Sequence, residues 1–195
     1  MPNYTFLSLK HGVKMSSPVD FVFHKLRPIF FSSDAETAHE RMLSSVEMIS
    51  KFPGVIPFLR WQFREESPIL NTNLFGIKVN NPIGLAAGFD KDGRIYPSLF
   101  ALGFGFVEIG TVTPLPQSGN SKPRIFRLLD DHALVNHLGF NSQGIQKMSE
   151  NLDLRSKVYS LEKSEKIKKY FEKQDKFSSC MLGINIGKNR DTSLK

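Results

Sequence analysis

Three short polar clusters, each just past an apolar run, are where this sequence could do chemistry. Phe89-Asp90-Lys91 follows the run 82–87, Thr111-Val112-Thr113 follows 104–109, and Asn185 with Lys188-Asn189 closes 181–186. Ala86-Ala87-Gly88 offers small side chains where a flat cofactor can press against backbone. Lys91 supplies a cation for an anionic substrate or an electron-rich ring. The densest polar cluster is Asn136-His137-Leu138-Gly139-Phe140-Asn141. Two asparagines that each give and take hydrogen bonds suit a planar ligand bearing carbonyl and N–H groups. The same residues also read as an ordinary turn.

The elements that must position these residues follow from periodicity. PIGLAA (82–87) is a short apolar strand ending at Gly88, YPSLFAL (96–102) suits a helix stopped by Gly103, and 104–109 is a second strand. Residues 124–135 alternate enough for short strands; 144 to about 173 is helical and charged, with a break near Ser156; 181–186 is a third strand. Strand, helix, strand, long crossover, strand is the rhythm of a parallel sheet, whose ligands bind at the carboxyl ends of its strands.

Residues 18–64 read as a helical appendage. Ser33-Asp34-Ala35-Glu36 has the spacing of a capping box, and Ala35, Ala38, Met42, Val46 and Ile49 follow at helical intervals until Pro53-Gly54. A third short segment carries Phe58, Trp61 and Phe63 beside Arg60 and Arg64. Seven of the 17 Phe and the single Trp fall between positions 21 and 63. Such aromatics suit a cap folded onto the main core, which the pattern favours, or an amphipathic surface facing a membrane interface or an apolar tunnel.

Composition narrows the classes. The chain has 195 residues and a net charge of +7, which favours anionic partners. Between 145 and 179, however, nine Lys/Arg interleave with six acids, as on a solvated helix face. A lone cysteine, Cys180, excludes a disulfide-rich scaffold and suits a reducing compartment. No apolar run approaches a membrane span. The acid-poor first residues are only a weak targeting signal. Gly103-Phe104-Gly105 lacks the third glycine of a dinucleotide fingerprint, and Gly183 to Asn189 is one residue too short for a phosphate loop. No spacing suggests a metal site. His39 alone reads as an ordinary helix residue.

The blocks NPIGLAAGFDKDG (81–93), GFGFVEIGTVTPLPQSGNSKPRIFRL (103–128), NHLGFNSQG (136–144) and GINIGKN (183–189), with the helical segment DAETAHER, together resemble the quinone-dependent, class 2 dihydroorotate dehydrogenases. The resemblance implies an α/β chain: a partial (β/α)8 TIM barrel, first strands only, preceded by an N-terminal helical cap. It divides the chain into a leader or disordered segment at 1–17, a helical quinone- and membrane-facing cap at 18–64, and the N-terminal part of the FMN-binding barrel at 65–195. It implies FMN as cofactor, dihydroorotate and orotate as substrate and product, and ubiquinone as acceptor at the mitochondrial inner membrane, with no nucleic-acid partner. By the same carry-over Ala86, Ala87, Gly88, Phe89 and Asp90 line the flavin, and Thr111 and Asn185 hydrogen-bond it. Lys91 bridges flavin and orotate. Asn136, His137, Leu138, Gly139 and Phe140 form the orotate-binding turn, and His39 and Arg127 flank the quinone head group.

Two departures qualify this expectation. The family's N-terminal transmembrane anchor has no counterpart, leaving membrane contact to the amphipathic helices. Residues 80–195 number 116, against roughly 250 in a full barrel. The catalytic serine base, a second asparagine pair and the flavin-phosphate loops are then expected beyond Lys195, so the chain alone would lack turnover. A binding module retaining only lipid or quinone affinity is the alternative. A nucleic-acid binder has only the charge in its favour.

Overall fold

The computed structural model describes residues 25, 28, 29, 31–65, 67–131, 133–161 and 180–193. The expected leader at 1–17, the start of the helical appendage at 18–24, and residues 162–179 of the charged stretch lie outside the described residues.

Helix α1 (Ala35–Ile49) starts one residue later than a Ser33 cap requires. Asp34 is its N-cap, with Oδ1 accepting from the Thr37 N–H at 2.9 Å. The capping-box reading fails because Glu36 is engaged elsewhere, by Arg124 and Lys122. The buried stripe also differs from the expected one. Leu43 is buried and His39 and Val46 half-buried, whereas Met42 and Ile49 are exposed. Acidic residues on the same face draw the helix round by reaching basic partners on the sheet side.

Helix α2 (Val55–Phe63) buries Ile56 and packs on α3 (Tyr96–Ala101), leaving Phe58, Trp61 and Phe63 exposed. Between them lies a hairpin that the sequence reading left unassigned: β1 (Thr72–Leu74) pairs antiparallel with β2 (Ile77–Val79). Phe75 and Gly76 turn it with φ of 51° and 82°, the two positive values that a type I′ turn demands.

The sheet that carries the polar clusters is parallel, in the order β3 (Gly84–Leu85), β4 (Phe106–Val112), β7 (Met181–Ile186). Its register sets Leu85 against Val107 and Val107 against Leu182. α3 forms the crossover from β3 to β4. α4 (Ile145–Leu161) lies within the second crossover and runs through Ser156 without the expected break. The core is Leu43, Ile95, Leu99, Phe100, Val107, Ile109, Val112 and Met148, joining α1, α3, α4 and the sheet. The alternating stretch after residue 124 forms a separate antiparallel pair, β5 (Ile125–Leu128) with β6 (Ala133–Asn136). Among the described residues the parallel strands number three and do not close into a barrel.

The turn after β3 is organised from inside by Asp90. Its carboxylate is 1% exposed and accepts from the backbone N–H groups of Arg94 (2.7 Å) and Ile95 (2.8 Å) at the entry to α3. Replacing it by Ala strands two covered donors, so Asp90→Ala is expected to lower the unfolding free energy by about 2–4 kcal/mol, read from the shift of the urea midpoint. An unmoved midpoint would show that these donors find other partners. Burial raises the Asp90 pKa above 3.8. The folded state therefore holds that proton more tightly, and stability present below the ordinary aspartate value declines as pH rises through the folded one. Asp90→Asn is expected to flatten that slope.

Candidate functional site

Parallel pairing brings the three strand ends side by side. The Gly88 N–H donates to the Gly110 carbonyl at 2.8 Å, the Gly110 N–H to the Asp90 carbonyl at 3.2 Å, and the Gly187 N–H to the Val112 carbonyl at 2.9 Å. Gly110 permits the closest approach: at φ 108° a Cβ there would come within 2.5 Å of the Asn185 carbonyl oxygen. Across this contact the Thr111 hydroxyl donates to Asn185 Oδ1 at 2.6 Å, and Asn185 Nδ2 donates to Glu108 Oε1 at 3.0 Å. Ala86 and Gly88 are exposed beside it, and a Cβ added to Gly88 would touch nothing within 4 Å. A floor of small side chains bordered by a hydroxyl and an amide fits a flat ring with a polar edge. Asp90 joins that floor only through its backbone, since its carboxylate turns inward.

Beside the floor, under α1, lies a cavity of about 540 Å³ whose walls include His39, Phe89, Lys91, Arg94, Arg124 and Asn141. Lys91 is half-buried and its Nζ donates to Asn141 Oδ1 at 2.8 Å. Burial, reinforced by the charge of Arg124, holds its pKa below that of an ordinary lysine. An ammonium short of solvation is primed to take an anionic partner.

Two arginines fasten α1 over this cavity. Arg124, 6% exposed, grips Glu36 as a fork, Nη2 to Oε1 at 2.7 Å and Nε to Oε2 at 3.1 Å. The same guanidinium donates to the carbonyls of Ser118, Asn120 and Leu138. Arg94 reaches Glu47 at 2.9 Å, Glu40 at 3.1 Å and Ser44 Oγ at 3.1 Å. Between them His39 Nε2 donates to the Phe89 carbonyl at 2.9 Å, its ring edge-on to Phe89 at 5.0 Å. Arg127 lies further along the same junction. It donates to the Ser33 carbonyl at 2.7 Å and its guanidinium stands 5.0 Å over the Phe31 ring.

The turn after β6 is placed differently from the strand-end residues. Asn120 holds it through the carbonyls of His137 (2.6 Å) and Leu138 (3.0 Å), and Gln117 through that of Phe140 (2.9 Å). Asn136 is exposed at the end of β6, and His137 stacks on Phe126 at 5.8 Å. Gly139 and Phe140 line a second cavity of about 430 Å³ with Gln117, Asn120 and residues 187–190. The residue of this motif that meets Lys91 is Asn141, which the sequence reading offered as one of two ligand-binding asparagines but left out of the orotate-binding turn. Glu36, Arg124, Gln117 and Asn120 were also missed. Each is an ordinary surface type whose partner lies far along the chain.

Residues 69–193 match the dihydroorotate dehydrogenase family. The chain belongs to that family. Curated relatives named dihydroorotate dehydrogenase (quinone) include that of Christiangramia forsetii, 40% identical over 86% of this chain and 43% of its own length. That of Sulfurovum sp. is 40% identical over 89% of this chain and 43% of its own length. The dihydroorotate dehydrogenase of Eimeria tenella, solved in complex with ferulenol, superposes with a TM-score of 0.63 at 36% identity, covering 89% of this chain and 40% of that one. The chain thus spans less than half the length of the dehydrogenases it matches. The family model's residues 69–193 hold Lys91, Thr111, Asn141 and Asn185 and begin after α1, whereas the relatives' 86–89% coverage of this chain extends back over that helix. Among the described residues no helix is long and apolar enough to cross a membrane, and no acid, His or Cys cluster could hold a metal ion.

Breaking the fork tests whether α1 is structurally committed to this site. Arg124→Ala is expected to cost about 3–5 kcal/mol, the range for removing one partner of a covered ion pair, and Glu36→Gln distinctly less. The hydrogen bond from Arg124 holds the Glu36 pKa below 4.5. Its contribution is therefore present above the ordinary glutamate value and lost as pH falls through the folded value. Urea melts across the acid range check both statements; an Arg124→Ala chain with the wild-type midpoint contradicts them.

Proposed function

We propose that this chain contributes one wall of the active site of a quinone-dependent dihydroorotate dehydrogenase, which oxidises dihydroorotate to orotate in pyrimidine synthesis. The observation that carries the reading is the Lys91–Asn141 contact beside the Ala86–Gly88 floor and the Thr111–Asn185 pair. The floor and its polar border fit FMN, which when bound would accept hydride from the substrate and pass electrons to a quinone. Ala86, Ala87, Gly88 and the backbone of Phe89 and Asp90 would support the ring, with Thr111 and Asn185 at its polar edge. Lys91 spends one N–H on Asn141 and keeps two for the substrate carboxylate. The turn at 136–140 would close over the pyrimidine, with Asn136 reading its edge. The proton acceptor, a serine in the family, is proposed to come from the part of the relatives that this chain does not span.

In the same junction, His39 and Arg127 would flank the quinone head group where the N-terminal helices meet the strand ends. Residues 18–64 then act as a helical cap and 65–195 as part of a (β/α)8 barrel. The relatives carry the dehydrogenase name, which favours the enzyme over a module that only binds lipid or quinone. The curated relatives above are bacterial and lend no support to a mitochondrial address, so the location proposed is a membrane surface.

Joining this chain to the uncovered C-terminal part of the Sulfurovum relative tests the reading. The product is expected to be yellow and to reduce quinone on addition of dihydroorotate. Lys91→Ala should lower kcat/KM by about 10²–10³-fold, as removal of a charge-stabilising donor does. A folded, colourless and inert fusion would reject it. Membrane contact has its own reporter, because Trp61 is the only tryptophan and is 77% exposed. Its emission in the full chain is expected to shift to the blue on adding cardiolipin vesicles, through burial of aromatic side chains in the interface. An unshifted spectrum removes the membrane role.

A further inference from the structure

Glu108 is a half-buried carboxylate with no part in the chemistry proposed above. On β4 it sits between Val107 and Ile109, which are 1% and 0% exposed toward the core, so alternation turns it to the opposite face, the one that carries the ring-edge residues. Its partner in register on β7 is Gly183, where even an added Cβ would stay 3.6 Å from Glu108. The acid therefore has room to reach along β7 to Asn185, two residues on and on the same face. The register shift of β4 between Ile109 and Val112 then brings Thr111 to the far side of the same amide.

We infer that Glu108 is a positioning residue: its carboxylate orients the Asn185 amide, and through it the Thr111 hydroxyl, so that the pair meets a ligand with an acceptor beside a donor. An ionised carboxylate only accepts, so it holds Nδ2 of Asn185 and turns Oδ1 toward Thr111. The hydroxyl must then spend its one proton on Oδ1, as the 2.6 Å contact shows. What remains is lone pairs on Thr111 Oγ1 and one N–H on Asn185. That combination selects a ligand edge in which an N–H adjoins a carbonyl, the imide pattern of an isoalloxazine or pyrimidine ring. Without Glu108 the amide can flip, the hydroxyl can turn outward, and the selection is lost. The identity of the ligand rests on the flavin reading above; the orienting role does not.

The experiment follows the side-chain amide of Asn185 by NMR in the ¹⁵N-labelled full chain, assigned by its disappearance in Asn185→Ser. In the wild type the Nδ2 proton facing Glu108 is expected downfield of ordinary asparagine amides. Thr111→Val should leave that displacement in place, and Glu108→Met should abolish it while the backbone amides of β4 and β7 stay put. Glu108→Gln, matched in shape, should reduce it by about half, because a hydrogen bond to a charged acceptor is roughly twice as strong. A wild-type Asn185 pair in Glu108→Met overturns the inference. So does one in Glu108→Gln, which decides the matter if the Met variant does not fold. Fluorescence titration of the fusion described above, and of its Glu108→Met variant, with FMN and with its N3-methyl derivative gives the second readout. The wild type should prefer FMN by about tenfold, the worth of one hydrogen bond, and Glu108→Met should erase the preference. A preference that survives in that variant overturns the polarity claim. An intact Asn185 signature in the wild-type chain, with a fusion that binds neither flavin, supports the orienting role and rejects the flavin reading alone.

Discussion

The contact on which the site depends is the two-point grip of Arg124 on Glu36. A planar guanidinium presenting paired donors to a carboxylate fixes orientation as well as distance, and here one end of the pair belongs to α1 and the other to the strand-end side. The remaining Arg124 donors go to three carbonyls in the loop after β4 and the turn after β6. One side chain therefore sets helix, loop and turn relative to one another. Arg94 repeats the device lower down α1 with Glu40 and Glu47. The helix is held through its acids more than through a greasy stripe, which is why Met42 and Ile49 face outward.

The parallel sheet makes a different contribution. Pairing β3, β4 and β7 in the same direction puts the carboxyl ends of all three at one edge, so residues separated widely in sequence arrive as neighbours. The sheet also sorts chemistry by face. Val107, Ile109 and Leu182 go to the core, while Glu108 and Asn185 go to the opposite side. Asp90 belongs to neither set; it serves the backbone at the entry to α3, and its value to the site is that Lys91 follows it.

These features differ in how far the linear sequence discloses them. The apolar runs ending at Gly88, Gly110 and Gly187 announce their strands, because burial of a parallel sheet demands continuous hydrophobes. The polar clusters after them mark the strand ends that the sheet gathers at one edge, and the long blocks shared with dihydroorotate dehydrogenases disclose the family. The hairpin at Phe75-Gly76 escaped because three-residue strands carry too little alternation. The N-cap was misplaced by one residue because Glu36 answers to a distant arginine, and local spacing is silent about distant partners. The meeting of Lys91 with Asn141 escaped for the same reason. The contact spans 50 positions and depends on how the turn after β6 is held.

The hydrogen bond between Thr111 and Asn185 joins residues 74 apart. Closing a loop of that size already carries most of its chain-entropy cost, and the cost then rises only logarithmically: doubling the intervening length adds only about 0.6 kcal/mol. Lineages can therefore lengthen, shorten or recompose the stretch near 151–179 at slight thermodynamic expense. The penalty falls on speed instead, because strands so far apart in the chain must find each other before β4 and β7 can pair. In this part of the molecule, the geometry of the strand ends is thus insulated from the history of the segment that links them.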